Sequence, residues 1–285
     1  MSITGTATYL RRLGLDPDLP PTLETLVAMH RAHVEQVPYE NLDIMLGRPP
    51  SVLPRDSLAR LAATGRAGYC FHHNGAFEVV LGDLGYVVER RHGHVWTTLE
   101  TRAGTELNHL VLLVNGLPTD ANPDGRWWPD LGLGEGFVDP LPLLVGTYVD
   151  GPLTFSISEV RDDGWTFVND PSGTFTALEV RSLPIDEQAI AAGHVSLSSA
   201  PTGVFTHKLI VQRRTPTTAE TIRACVSITV DATGRHEHDL TSYDEWRDAL
   251  AAMRLPLDDV DAAEVRGLWE RSWAAHRAWD DAGRP

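Results

Sequence analysis

The chain has 285 residues, 42% of them hydrophobic and 22% charged, a composition that supports a sizeable core and excludes whole-chain disorder. The 39 acidic residues outnumber the 24 basic ones and leave a formal charge of −15, which repels phosphate backbones and anionic bilayers and excludes general nucleic-acid or membrane-surface binding. No run approaches the roughly 20 apolar residues of a membrane span, residues 1–15 lack a basic segment followed by an apolar one, and the only thiols are Cys70 and Cys225, so a cytoplasmic location is expected.

Pro20-Pro21 opens a helical stretch in which Leu23, Leu26, Val27, His30, Val34 and Val37 recur at helical spacing, and Pro38 ends it. A second helix is predicted from about Asp56 to Ala63, closing at Gly65. A third begins near Cys70, with Phe77, Val80, Leu81 and Leu84 on one face and Gly85 at its end. The pattern then turns to β. Tyr86–Arg91, His94–Thr101 and Leu107–Val114 read as strands, the last apolar at five successive positions and so buried on both faces. Leu117–Arg126 is a turn-rich loop, short strands follow to about Arg181, and Ser182–Ala200 reads as a connector. Val204–Arg213 and Thr221–Val230 read as a strand pair, with Cys225 an inert thiol in the second. Ser242 and Glu245 form a capping box that opens a helix. A final helix carries Leu268, Trp269, Trp273 and His276 as a stripe that pins it to the core. This order predicts an α+β fold of three modules: a helical bundle over 1–85, a β-barrel-like module over 86–195 and an α/β lid over 196–285.

The run Arg66-Ala67-Gly68-Tyr69-Cys70-Phe71-His72-His73-Asn74 delivers a cysteine to the first turn of a helix. Unpaired N–H groups and the helix dipole favour a thiolate there, and a thiolate is the nucleophilic form. His109 starts the apolar strand and needs a partner in such a place. Asp130 follows Trp127-Trp128-Pro129 and precedes Leu131-Gly132-Leu133-Gly134. The chain order Cys70, His109, Asp130 suits a nucleophile, a base and an orienting acid. Asp120 and Asp124 also follow His109, and Asn122-Pro123-Asp124-Gly125 has the composition of an exposed turn, whereas Asp130 sits at a strand end next to aromatics, which suits a desolvated and rigidly held carboxylate, so Asp130 is the expected acid. His72 and His73 beside Cys70 lack the separated ligand pair of a zinc site, so no metal is expected.

Residues 66–74 resemble the nucleophile signature of the arylamine N-acetyltransferases. Val37-Pro38-Tyr39-Glu40-Asn41-Leu42, Asn108-His109, Asp130-Leu131-Gly132-Leu133-Gly134 and Pro201-Thr202-Gly203-Val204-Phe205 resemble further motifs of that family in the same order. Ala67, His72, Tyr39 and Leu133 stand where the family usually has Gly, Glu, Phe and Phe, and Leu117–Arg126 reads as an insertion.

The resemblance implies a catalytic core similar to that of papain-type proteases and transglutaminases, with Cys70, His109 and Asp130 as its triad. It implies acetyl-CoA, or another acyl-CoA or acyl-carrier thioester, as donor, an acyl-enzyme on Cys70, and a small-molecule amine as acceptor in a ping-pong sequence, with no permanently bound cofactor. An amide synthase acting on a chain tethered to an acyl carrier protein is the alternative, and a cysteine hydrolase or transglutaminase-like enzyme a more distant one. Tyr39, Phe71, Val95, Leu133 and Phe205 are the expected substrate-pocket residues. Glu40 and Arg66 are expected to form a buried ion pair, because an arginine fork matches a carboxylate. His72 is expected to replace the family's Glu as a structural hydrogen-bond partner facing away from the cleft.

Overall fold

Side-chain oxygens start four of the helices. A computed structural model describes residues 3–183 and 185–284. After helix α1 (Ile3–Arg12), helix α2 (Leu23–Gln36) begins where the Thr22 hydroxyl accepts the Thr25 N–H at 3.3 Å. The first strand, β1 (Tyr39–Glu40), leads to the short α3 (Leu42–Met45), then to α4 (Pro54–Thr64) and to α5 (Cys70–Leu84). Pro54 stands at the head of α4, where a missing N–H removes nothing.

The middle of the chain is β2 (Val87–Trp96), β3 (His109–Asn115), β4 (Trp127–Trp128), β5 (Leu141–Pro142), β6 (Gly146–Asp150), β7 (Leu153–Arg161), β8 (Gly164–Val168) and β9 (Ala177–Arg181). These eight form an antiparallel sheet in the order β5-β4-β3-β2-β9-β8-β7-β6, curled into a half-barrel. Then come α6 (Glu187–Ser198), β10 (Ile210–Arg214), β11 (Ala219–Arg223), β12 (Val226–Asp231), β13 (Gly234–Asp239), α7 (Tyr243–Ala252) and α8 (Ala262–Asp281). Asp186, Ser242 and Asp261 cap α6, α7 and α8 with side-chain oxygens. The second sheet runs β1-β10-β11-β12-β13, so a strand from the helical third of the chain edges the C-terminal sheet.

Strand β3 joins the cores. Its side chains alternate between faces: Leu112 and Val114 enter the core of α1, α2, α4 and α5, while Val111 and Leu113 enter the half-barrel with Trp128, Phe137, Phe155 and Phe167. A strand covered on both faces is why Leu110–Val114 is apolar without a break. A third core packs Val211 and Ile222 of the small sheet against Trp246, Leu250, Leu268 and Trp269 of α7 and α8. None of the described helices is long and apolar enough to cross a membrane.

Several sequence expectations are corrected. Ser182–Ala200 is not a bare connector: it contains α6, whose start was hidden because only Ile190, His194 and Ser198 of its residues are buried. The two strands expected over Tyr86–Thr101 are one, β2, which passes through Gly93 without a turn. The single strand expected over Thr221–Val230 is instead the end of β11 and the start of β12 around an Ala224-Cys225 turn, with Ala224 at φ 53°. No Gly, Asn or Asp marked that turn.

Leu112 is fully buried between the helical core and β2. Leu112→Ala is expected to lower the unfolding free energy by about 3 kcal/mol, read as a fall in the urea midpoint with an unchanged slope.

Candidate active site

The N-cap of α5 is Tyr69, which brings Cys70 to the first helical position, where backbone N–H groups have no intrahelical partner. His72 Nδ1 accepts the Tyr69 N–H at 3.4 Å, standing in for the Glu of a capping box. Its other nitrogen meets the Pro50 carbonyl at 3.3 Å, and its ring packs edge-on to Tyr69 and His194. Cys70 Sγ lies 3.5 Å from the Asn108 carbonyl oxygen. The Asn108 side chain itself bonds Val95 twice, accepting from its N–H at 2.7 Å and donating to its carbonyl at 2.8 Å, and so extends the β2–β3 ladder by one residue.

His109 begins β3, and its Nε2 donates to Asp130 Oδ2 at 2.8 Å. The same oxygen accepts the Trp128 indole N–H at 3.1 Å. Oδ1 accepts the Asn74 amide at 2.8 Å and the Gly132 N–H at 3.0 Å. The Asp130 carboxylate therefore carries four hydrogen bonds in a residue only 2% exposed. Burial opposes a charged His109, but the Asp130 carboxylate and the Cys70 sulfur more than offset it and raise the ring's pKa to about 10. With Nε2 fixed on Asp130, Nδ1 is the ring nitrogen left for chemistry.

Asn74, one turn along α5 from Cys70, also donates to the Leu110 carbonyl at 2.6 Å and accepts the Leu131 N–H at 3.0 Å. One amide thus fastens the nucleophile helix, β3 and the aspartate loop together. Gly132 is required by closeness: a Cβ there would lie 2.6 Å from Cys70 Cα. Gly134 adopts φ +67°, and a Cβ would meet Gln212 Oε1 at 2.1 Å.

Helix α2 supports both halves of this arrangement. His30 Nε2 accepts the Asp130 backbone N–H at 3.1 Å while its Nδ1–H donates to the Val138 carbonyl at 2.7 Å. Three residues on, His33 joins a buried chain: Tyr9 O–H to His33 Nδ1 at 2.8 Å, His33 Nε2–H to His73 Nδ1 at 2.7 Å, and His73 Nε2–H to the Gly68 carbonyl at 3.1 Å. Burial lowers the pKa of all three histidines, that of His73 to about 4, so each is neutral.

Cys70 and His109 open onto a cleft of about 600 Å³. Of the expected pocket residues, Tyr39, Val95, Leu133 and Phe205 line it. Phe71 does not: it is fully buried in the core beneath Ile190, with its ring against Tyr69. A residue next to the nucleophile on a helix points about 100° away from it. Trp96, Phe175 and Leu197 also line the cleft.

The expected Glu40–Arg66 pair is replaced by a wider network. Arg60, one element away on α4, takes Glu40 at 3.5 Å and also binds Asp43. Arg66 binds Asp259, the Pro256 carbonyl at 3.0 Å, and Asp43 at 3.6 Å. Among the described residues no group of three or more His, Cys, Asp or Glu side chains is placed to hold a metal ion.

A family model described as N-acetyltransferase matches residues 22–258. The chain belongs to the arylamine N-acetyltransferase family. It is 40% identical over 141 residues to the arylamine N-acetyltransferase of Mycolicibacterium smegmatis, a match that covers 48% of this chain and 50% of that relative. The solved structure of M. smegmatis arylamine N-acetyltransferase superposes with a TM-score of 0.81 at 28% identity, covering 95% of this chain and 99% of the other. Mycobacterium marinum arylamine N-acetyltransferase in complex with CoA superposes at 0.79 and 25% identity, covering 94% and 98%.

In this family member Asp124 lies exposed in the 117–126 hairpin, which closes on itself through Leu117 N–H to the Gly125 carbonyl at 3.0 Å. The residues that sequence reasoning missed are those that brace others: Asn74, Trp128, His30 and Asn108. Asn74 and Asn108 stand within the quoted motifs and Trp128 two residues before Asp130, but nothing in the sequence gave their partners.

Two outcomes follow from this geometry. Iodoacetamide at neutral pH is expected to modify Cys70 first, because Cys225 is fully buried and burial pushes its thiol up to about 12; peptide mass mapping reads the order. A pKa raised in the folded state from 6.5 to about 10 means that folding stabilises protonated His109 fully below pH 6.5 and loses that contribution as pH climbs through 10. Asp130→Asn is expected to flatten this decline in the unfolding free energy, whereas Asp124→Asn leaves it as in the parent.

Proposed function

We propose that this protein transfers an acetyl or related acyl group from a thioester such as acetyl-CoA to an amine, through an acyl-enzyme on Cys70. The observation that carries the reading is a cysteine at a helix N-terminus and a histidine whose far nitrogen is locked to a buried carboxylate, the sulfur and the imidazole opening onto one cleft. Family membership and the CoA complex of a structural neighbour support the donor class.

In the first half-reaction Cys70 sulfur attacks the thioester carbonyl. First-turn amides of α5 stabilise the oxyanion, and the leaving thiolate takes the proton from His109 Nδ1. The Cys70 acyl thioester replaces one thioester by another, so the step is nearly isoenergetic and the acyl group is held. In the second half the amine attacks this carbonyl and its proton passes to the now neutral His109 Nδ1. Cys70 leaves as a thiolate beside the regenerated imidazolium. Asp130 keeps its negative charge throughout and fixes the ring's orientation. Tyr39, Val95, Leu133 and Phe205 present apolar walls to the acyl group and the acceptor, which suits an arylamine. On this reading the three modules divide the work: residues 1–85 carry the nucleophile, 86–195 the base and acid, and 196–285 cover the cleft.

Incubation with acetyl-CoA alone is expected to add one acetyl mass on Cys70, and an arylamine is expected to remove it. Asp130→Asn should cut the acylation rate by about 10⁴-fold with the fold retained by circular dichroism. An unmodified protein, or an acetyl group placed elsewhere, would refute the assignment.

A further inference from the structure

The hydroxyls of Tyr9 and Tyr69 bond His33 Nδ1 at 2.8 Å and His194 Nδ1 at 2.7 Å. Those of Tyr86 and Tyr148 donate to the Thr22 and Leu144 carbonyls, each at 2.8 Å. Tyr39 breaks this pattern. It lines the catalytic cleft with Cys70 and His109, and its hydroxyl has no hydrogen-bond partner among the described residues. That hydroxyl is also what sets the chain apart, since Tyr39 stands where the family usually has Phe.

The ring is held in place. Tyr39 pairs with Gln212 of β10, and a bridge joins it to Gly68, two residues before Cys70. The Glu40 N–H donates to the Gly68 carbonyl at 2.7 Å. His73 lies nearly parallel to the phenol ring, at 15° with centroids 6.1 Å apart, and Phe205 lies tilted 6.3 Å away. His73 is itself fixed by the chain from Tyr9 through His33. The buried histidine chain, which the transfer chemistry does not use, thus ends against the ring that carries the free hydroxyl. Burial raises the phenol's pKa well above its ordinary value, and Cys70, Glu40 and Asp130 add to the rise. The hydroxyl therefore stays a donor at neutral pH, within electrostatic reach of both Cys70 and Asp130. It bonds neither the sulfur nor His109, so the atom it is placed to meet is one that the substrate brings.

We infer that Tyr39 is a further catalytic residue, whose O–H donates to the acyl oxygen while the tetrahedral carbon is attached to Cys70, beside the first-turn amides of α5. The inference rests on the acyl-transfer reading of the cleft. Attack by sulfur on the thioester carbonyl moves an electron pair onto that oxygen, and expulsion of the leaving thiolate returns it. The phenol proton stays on Tyr39 throughout; the hydrogen bond strengthens as the oxygen gains charge, which is what makes it catalytic. The same oxygen gains charge again when the amine attacks the Cys70 thioester, so both half-reactions use the same donor.

Tyr39→Phe removes the hydroxyl and keeps the ring between His73 and Phe205, with circular dichroism to check the fold. Single-turnover acylation of Cys70 by acetyl-CoA, followed by intact mass, is expected to slow about 100-fold with half-saturation unchanged. Transfer of the acetyl group from preformed acetyl-Cys70 to aniline is expected to slow by a similar factor. Alkylation of Cys70 by iodoacetamide displaces iodide at a saturated carbon and builds no oxyanion, so its rate is expected to match the parent's. A fall in alkylation equal to that in acylation overturns the inference and makes Tyr39 a residue that packs or stabilises the thiolate. A loss confined to the amine step also overturns it and makes the hydroxyl an acceptor contact. An acylated parent matched in both steps by Tyr39→Phe overturns the inference alone, whereas a parent that no thioester acylates retires the acyl-transfer reading and the inference with it.

Discussion

Asp130 has almost no water to hold its charge, and an uncompensated buried carboxylate would be destabilising by several kcal/mol. Its four donors come from separate places: β3 supplies His109, α5 supplies Asn74, β4 supplies Trp128 and the following loop supplies Gly132. Satisfying one carboxylate therefore fixes the helical bundle against the half-barrel. The same set of bonds places the nucleophile helix and the imidazole at one mouth. Stability and reactivity share the anchor, since loss of a donor would both expose a charge cost and free the ring to turn.

Around that anchor sits a layer of neutral histidines. His30 and His33, three residues apart on α2, reach different partners, one the aspartate loop and the other, through His73, the loop before Cys70. A histidine can donate from one nitrogen and accept at the other, which suits a buried site where a donor and an acceptor must be met together. Burial keeps these rings uncharged, so they brace the active pair without adding a competing positive charge. His109 alone gains enough from its neighbours to be protonated near neutral pH.

Much of this was legible in the residues. Cys70 at the head of an apolar helix, His109 at the start of an unbroken apolar strand and Asp130 before two glycines are local signals, and local signals survive without a structure. The choice of Asp130 over Asp124 rested on turn composition, and the structure places Asp124 in an exposed hairpin. What could not be read was anything decided by distant partners. Glu40 and Arg66 both bear charge in motif positions, yet Arg60 and Asp259 decide where those charges go. Phe71 sits next to the nucleophile in sequence but turns into the core. Helix α6 lacks a strong apolar stripe, and the Ala224-Cys225 turn lacks a turn residue, so neither announced itself.

Strand β1 belongs to the first 40 residues but closes the edge of a sheet whose other strands begin at Ile210. Asn41 reinforces the join, donating to the Phe205 and Lys208 carbonyls and accepting the Ile210 N–H at 2.7 Å. A chain growing from its N-terminus makes Cys70, His109 and Asp130 long before it makes the strand that β1 must meet. The wall formed by Tyr39 and Phe205 is thus among the last features completed during synthesis. A ribosome-bound chain would hold its reactive thiol in an unfinished cleft until some 80 further residues beyond Asp130 had emerged.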